Sequence, residues 1–288
     1  MNKRIAILCR RYIDWENKGI KHGKLNSHFN KAHPFDQLNQ SWTTFNPHIP
    51  LERYRHSLHK IAVCSWQQTG ADIFFNEVQL SADGGGSMNE TTIQQLREYE
   101  WIIPIDDDDW LAPSLAQNLL KIDASTQKPA ITCWNTSSIH FSKGRAIMDS
   151  PYTPYLPATA AWEKGKIIYS CGYAISKEAC RSLNNSMLED ILMHHGEASK
   201  MAERVYSAQI NTLSAVHVRH VATAGSAGRD DINRSIGQIS TPKIWSQSKE
   251  GLVFWVDPKE EFGWAKKYWR ELMTLHLNLE ENRETNFY

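Results

Sequence analysis

The chain has 288 residues, 41% of them hydrophobic and 22% charged, which suits one sizeable α/β core and excludes the disordered and fibrous classes. Lys plus Arg equals Asp plus Glu at 32 each, which removes the simple case for a nucleic-acid binder and leaves any polyanion contact local. The cysteines, Cys9, Cys64, Cys133, Cys171 and Cys180, are scattered with no Cys-x-x-Cys pair, which reads as reduced, mostly buried thiols of a cytosolic protein in place of a disulfide framework or a zinc site.

Behind Met1 to Arg4 lies only a strand's length of apolar sequence, too short for a signal peptide. No apolar run approaches the roughly 20 residues of a membrane span. A cytoplasmic chain is therefore expected. Arg4 to Cys9 is a compact apolar run, the first expected strand, and it ends in Arg10-Arg11-Tyr12. At the carboxyl end of a first strand, guanidinium groups suit bidentate contact with a diphosphate and Tyr12 suits stacking on a base. The plainer reading is basic residues that merely flank a strand. Residues 14–50 are polar and carry Pro34, Pro47 and Pro50, a loop long enough to expect that it walls a cleft.

Leu51, Tyr54, Leu58, Ile61, Ala62 and Ser65 recur at the spacing of one helical face. Arg53, Arg55, His56, His59 and Lys60 fill the remainder, which reads as a solvated basic face. A strand is expected over Asp72 to Leu80. The glycines of Ser81 to Ser87 supply a sharp turn, and they lack the Gly-Lys-Ser/Thr ending of a phosphate cradle. A short helix over Thr91 to Glu100 then completes a strand-helix-strand-helix-strand order, which predicts a mainly parallel sheet with right-handed crossovers.

Trp101-Ile-Ile-Pro-Ile-Asp-Asp-Asp-Asp-Trp-Leu-Ala-Pro113 is the stretch with chemical content. An apolar run bounded by turn signals reads as a buried strand, and ligands of open α/β sheets sit beyond the carboxyl ends of such strands. Four adjacent carboxylates, Asp106 to Asp109, repel one another unless a cation shares them, and oxygen donors favour Mg²⁺ or Mn²⁺. A solvated acidic turn ahead of a helix is the competing reading. A helix over Ser114 to Ile122 and a strand over Ala130 to Asn135 follow, and Ser137 to Phe141 either continues that strand or forms its hairpin partner. Residues 149–166 read as a second cleft-lining loop.

Ile167 to Ser176 reads as a strand, with Ser176 as the N-cap of the helix behind it. Leu188-Glu189-Asp190-Ile191-Leu192 carries an acidic pair, expected at a helix start, where it would also favour the dipole. His194 and His195 are adjacent on the expected next helix, and adjacent residues face different sides, so no metal pair is expected. A strand over Leu213 to Val221 holds His217 and His220, and residues 223–250, rich in Gly and Ser, read as a flexible lid. Asp257-Pro-Lys-Glu260 is a capping box for a last helix whose stripe is Phe262, Ala265, Trp269, Leu272, Leu275 and Leu279. Docking of that stripe on the core is expected, while Trp264, Tyr268, Lys266 and Lys267 keep open a peripheral membrane contact. The many tryptophans suit a protein that handles sugars, although core packing accounts for most of them.

Ile105-Asp106-Asp107-Asp108-Asp109-Trp110-Leu111-Ala112-Pro113 resembles the strand-end Asp-x-Asp motif of GT-A glycosyltransferases, above all the family 2-like and rhamnosyltransferase-like groups. The likeness is local, about a dozen residues, with two ordered companions in Gly172 to Ala179 and in Glu189-Asp190, the latter 82 positions after Asp108. The resemblance implies an α/β single GT-A, Rossmann-like domain with a mainly parallel central sheet flanked by helices. Its donor side would run over about 1–135 and its acceptor side over about 136–250, with a helical extension at 251–288. Implied too are a nucleotide-sugar donor, a glycan or lipid-linked saccharide acceptor and Mn²⁺ or Mg²⁺. Asp106 would lie near the donor ribose and beside the metal, Asp108 would hold the metal, and Asp107 repeats the spacing one residue on, so the assignment within the quartet stays open. Arg10, Arg11 and Tyr12 would join the donor site. Asp190 would be the general base of an inverting transfer, with Glu189 its neighbour. His220 would complete the metal shell, with His217 as the alternative, although the His-x-x-Asn-x-Ser pattern of similar enzymes is not reproduced.

Two other classes stay in view. A metal-dependent phosphohydrolase or nucleotidyltransferase would use the same quartet, and no second Asp-rich motif supports it. A non-catalytic carbohydrate-binding protein of the same fold would bind without turnover.

Overall fold

Ile5, Ile7 and Cys9 point to one side of the first strand, β1 (Ile5–Tyr12), and Ala6 and Leu8 to the other. All five are buried. A strand with apolar residues on both faces must be covered on both, which is the condition of a central parallel strand. In the computed structural model, which describes residues 4–12, 51–78, 88–123, 128–142, 145–148, 171–205, 207–219, 245–247, 253–255 and 260–277, β1 pairs in parallel with β2 (Asp72–Val78) on one edge and β3 (Trp101–Asp106) on the other.

Helix α1 (Leu51–Gln67) crosses over one face, where Leu58, Ile61, Ala62 and Trp66 meet Ile5, Ile7 and Ile103. Helix α2 (Glu90–Leu96), capped by Asn89, crosses over the other, where Ile93 and Leu96 meet Ala6, Leu8 and Ile102. The expected α/β alternation is thus the observed one. The chain leaves β1 toward β2 and returns past it to β3, so β1 and β3 flank the point where the winding reverses.

Beyond β3 the order is β7 (Tyr173–Ser176), β5 (Ile131–Ser142), β8 (Ser207–Arg219) and β4 (Trp110–Leu111). β7 and β4 run antiparallel to their neighbours, while β5 and β8 run parallel to each other. Five of the seven strands of this path, β1, β2, β3, β5 and β8, therefore share one direction, and the fold is α/β, Rossmann-like, with a mainly parallel sheet flanked by helices. β6 (Arg145–Met148) pairs with the far end of β5, which is continuous through Ser137 to Phe141. β8 begins at Ser207, ahead of the expected Leu213, because pairing with β5 recruits the polar segment before it through two register shifts around Asn135.

Helices α3 (Leu115–Asp123) and α7 (Lys266–Leu277) share the α1 face, and α4 (Lys177–Ser182), α5 (Asn185–Met193) and α6 (His195–Ala202) share the α2 face. A 3-10 turn, Glu260–Ala265, leads into α7, and Ala265, Trp269 and Leu272 of the expected stripe are buried in the same cluster as β1 and β3. A large side chain such as Leu272 contributes about 1.5–3 kcal/mol on burial. Trp264 donates to the Leu213 carbonyl at 3.1 Å and Tyr268 packs on Trp110, so these two rings are engaged with the domain. Among the described residues no helix is long and apolar enough to cross one.

Trp66, Trp101, Trp110, Trp134 and Trp269 are fully buried core residues. All five cysteines are free, and only Cys64 is exposed. The short strands β9 (Trp245–Gln247) and β10 (Val253–Trp255) pair antiparallel, and β9 falls inside the segment expected as a lid. The rest of that segment, the loops at 14–50 and 149–166, the Gly84 to Gly86 run and the capping residues Asp257 to Lys259 lie outside the described residues.

Candidate functional site

β3 ends at Asp106, and the Asp109 N–H turns back to the Asp106 carbonyl at 3.4 Å, which puts Asp107 and Asp108 at the centre of a β-turn. The chain then re-enters the sheet as β4, held by β8. The four carboxylates consequently occupy different surroundings. Asp106 is part-exposed, whereas Asp107, Asp108 and Asp109 are buried, at 8%, 4% and 0% exposure. The solvated acidic turn is ruled out by this burial. His59, placed by periodicity on a solvated basic face, instead turns inward, its Nδ1 3.0 Å from the Asp107 carbonyl and its ring edge-on to Trp66 and Phe75.

Asp109 is committed to the protein. Its Oδ1 accepts the Val218 N–H at 2.9 Å, and its two oxygens lie 2.9 and 3.0 Å from His217 Nδ1. Its backbone carbonyl takes the Trp66 indole N–H at 2.9 Å. A carboxylate facing a ring nitrogen accepts from it, which puts a hydrogen on Nδ1 of His217. Cys171 completes the group: burial, and then Asp109, push its thiol well above the usual range, so it stays protonated and donates to that carboxylate. Ligand atoms of Asp109, Cys171 and His217 lie within 4.8 Å of one another, so among the described residues this cluster could also hold a metal ion. With Asp109 so engaged, the i, i+2 pair left in the quartet is Asp106 and Asp108.

Arg10 and Asp106 are register partners across β1 and β3, at the winding reversal where open α/β sheets bind ligands. Arg10 Nη2 meets Asp106 Oδ1 at 2.9 Å, and the guanidinium is buried. Nη1 donates to the Leu192 and Met193 carbonyls at 3.4 and 3.2 Å. The side chain thus runs inward along the sheet to α5. Arg11 and Tyr12 continue the strand, and their side chains lie outside the described residues, as does His220.

Glu189 and Asp190 are not at a helix start. Asn184 caps α5 through the Met187 N–H, so the acidic pair falls in the second half of the helix, where a dipole role is excluded. Leu188, Ile191, Leu192 and Met193 face the core, Asp190 is exposed, and Glu189 Oε1 accepts the Met88 N–H at 2.5 Å. His194 ends α5 and begins α6, so the two histidines do not share a helix. His195 belongs to no motif of the sequence, yet it neighbours Arg10, Asp106 and His217. Burial by the surrounding protein, then Arg10, hold its imidazole down to about 4, against the upward pull of Asp106.

No family model matches the chain, and no curated protein matches it. Among solved structures it resembles S. aureus TarS (residues 1–349) at 11% identity and a TM-score of 0.39, over 97% of this chain and 73% of that one. A glycosyltransferase involved in glycosylation of the PBCV-1 major capsid gives 11% identity and a TM-score of 0.36, over 80% and 99%. A chain assigned as a glucose-1-phosphate thymidylyltransferase from Bacillus anthracis, in complex with sucrose, gives 8% identity and a TM-score of 0.33, over 83% and 98%. Likeness at this level says nothing of what the present chain does, and the fold stands on its own strand order and register.

Proposed function

We propose that the chain is a GT-A-type glycosyltransferase that moves a sugar, with inversion, from a nucleoside-diphosphate sugar to a glycan or lipid-linked acceptor in cytoplasmic steps of surface polysaccharide assembly. The observation that supports the reading is that one guanidinium, Arg10, holds both Asp106, at the winding reversal beyond β1 and β3, and α5, the helix that carries the exposed Asp190. A donor site and a base for an acceptor arriving from solvent need that juxtaposition.

Asp106 and Asp108 would hold Mn²⁺ or Mg²⁺, since their carboxylate oxygens are the donor type a hard cation takes. His217 is preferred as a third ligand over His220, because Asp109 holds its Nδ1 at 2.9 Å and so fixes the orientation of the ring, as carboxylates behind ligating histidines do. When bound, such a metal supplies neutralisation of charge on the leaving diphosphate. The chain's own residues do the rest. Arg10 fixes the Asp106 carboxylate, Asp107 stays a candidate for donor contact, Asp190 takes the proton of the acceptor hydroxyl, and Glu189 anchors α5 to the start of α2. The donor side is assigned to residues 1–135, the acceptor side to 136–250, and α7 to the extension at 251–288.

Thermal-shift screening against nucleoside diphosphates and nucleotide sugars, with and without Mn²⁺, tests the reading, because a ligand of the folded state raises its apparent stability. One nucleotide family should stabilise the chain in a Mn²⁺-dependent way. A flat panel would overturn the proposal.

A further inference from the structure

Arg10 is only 1% exposed, and a cation stays inside a protein only where a counter-charge and hydrogen-bond acceptors meet it. Its partners come from two elements far apart in sequence. Nη2 meets Asp106 at the end of β3, while Nη1 donates to carbonyls 182 and 183 positions away, Leu192 and Met193. Those carbonyls belong to the last turn of α5, where the helix cannot satisfy them itself and where its dipole favours a cation. The Tyr173 hydroxyl donates to the Ile191 carbonyl at 2.6 Å, and the His194 N–H to the Asp190 carbonyl at 2.8 Å. Every carbonyl from Asp190 to Met193 thus has a named donor, and Asp190 sits in that same turn.

We infer that Arg10 is a positioning residue whose planar fork holds the Asp106 carboxylate and the Asp190-bearing end of α5 in one register, so that a change of charge at Asp106 is felt in α5. Its meaning for catalysis rests on the reading of Asp106 and Asp190 given above, while the mechanical link does not. A lysine keeps the charge but offers a single point of attachment on a flexible stem, so it cannot reproduce the two-sided fork. If Arg10 were merely a local cap of α5, with Asp106 an incidental counter-ion, neutralising Asp106 would leave α5 undisturbed.

Amide hydrogen exchange on the full chain reads the link without any ligand. Asp106→Asn should speed exchange in the segment 188–198 by on the order of tenfold, the scale of one charge-assisted hydrogen bond, while Ile7 and Leu8 in β1 keep their protection. Arg10→Lys should do the same, and the double variant should add little to either alone, as coupled partners do. Wild-type protection of α5 in Asp106→Asn, or full additivity in the double variant, would overturn the proposal. Failure of the nucleotide panel would remove the catalytic meaning and leave the link standing. Unchanged exchange would remove the link and leave the functional reading standing.

Discussion

His217 and Asp109 meet at 2.9 Å across 108 positions of sequence. The contact fixes the last carboxylate of the quartet against β8 and orients the imidazole beside it. Removing Asp109 leaves the Val218 N–H, the His217 ring and the Cys171 thiol without their acceptor in a fully buried place. Asp109→Ala should therefore cost about 3 kcal/mol of stability, read as a lower midpoint in urea denaturation. A midpoint within error of the wild type would mean that the group is not held as described.

Asp108 sits one residue earlier, in the turn and outside the sheet ladder. Asp108→Ala is expected to keep the fold and to abolish the Mn²⁺-dependent part of nucleoside diphosphate affinity. Titration calorimetry with Mn²⁺ and with EDTA checks it. Equal affinity in the two conditions for the wild type would dispose of the metal.

If Asp190 accepts the proton of the acceptor, Asp190→Asn should lower turnover by roughly 10²-fold or more with donor affinity nearly unchanged. Glu189→Gln should be mild, since the amide oxygen still accepts the Met88 N–H, whereas Glu189→Ala loses that anchor. Loss of donor binding together with turnover in Asp190→Asn would move Asp190 into the nucleotide site.

Glu100 carries a pH dependence away from the site. Its hydrogen bond to Lys128, helped by Lys177, holds its carboxyl below the ordinary value of 4.5 in spite of partial burial. A depressed carboxyl contributes stability that is present above its unfolded value and is lost as pH falls through the folded one. Glu100→Gln should accordingly cost about 0.5–1 kcal/mol at neutral pH, the scale of a part-exposed ion pair, and the difference from wild type should shrink as the pH falls below 4.5 and vanish once it is below the lowered folded value. A thermal-melt series from neutral to acid pH measures it, and a constant difference would assign the effect to packing.

Periodicity by itself determined the order β1-α1-β2-α2-β3 and the burial of both faces of β1, because alternation of side chains along a strand and their recurrence along a helix are local geometry. It also located the end of β3, since an apolar run cannot continue into four carboxylates, and it named Ser176 as a cap, which the Ala179 N–H confirms. What it could not supply is long-range pairing. Four like residues in a row look alike until β4 docks on β8 and brings Val218 and His217 to Asp109 alone. Arg10 has the same composition whether it faces a ligand or α5, and only the packing of α5 against the sheet decided the latter. Helix ends failed for the same reason. Glu189 and Asp190 suited a helix start by charge, but the Asn184 cap and the apolar contacts of Leu188, Ile191 and Leu192 moved that start earlier, because buried area outweighs the few tenths to about 1 kcal/mol of a dipole interaction.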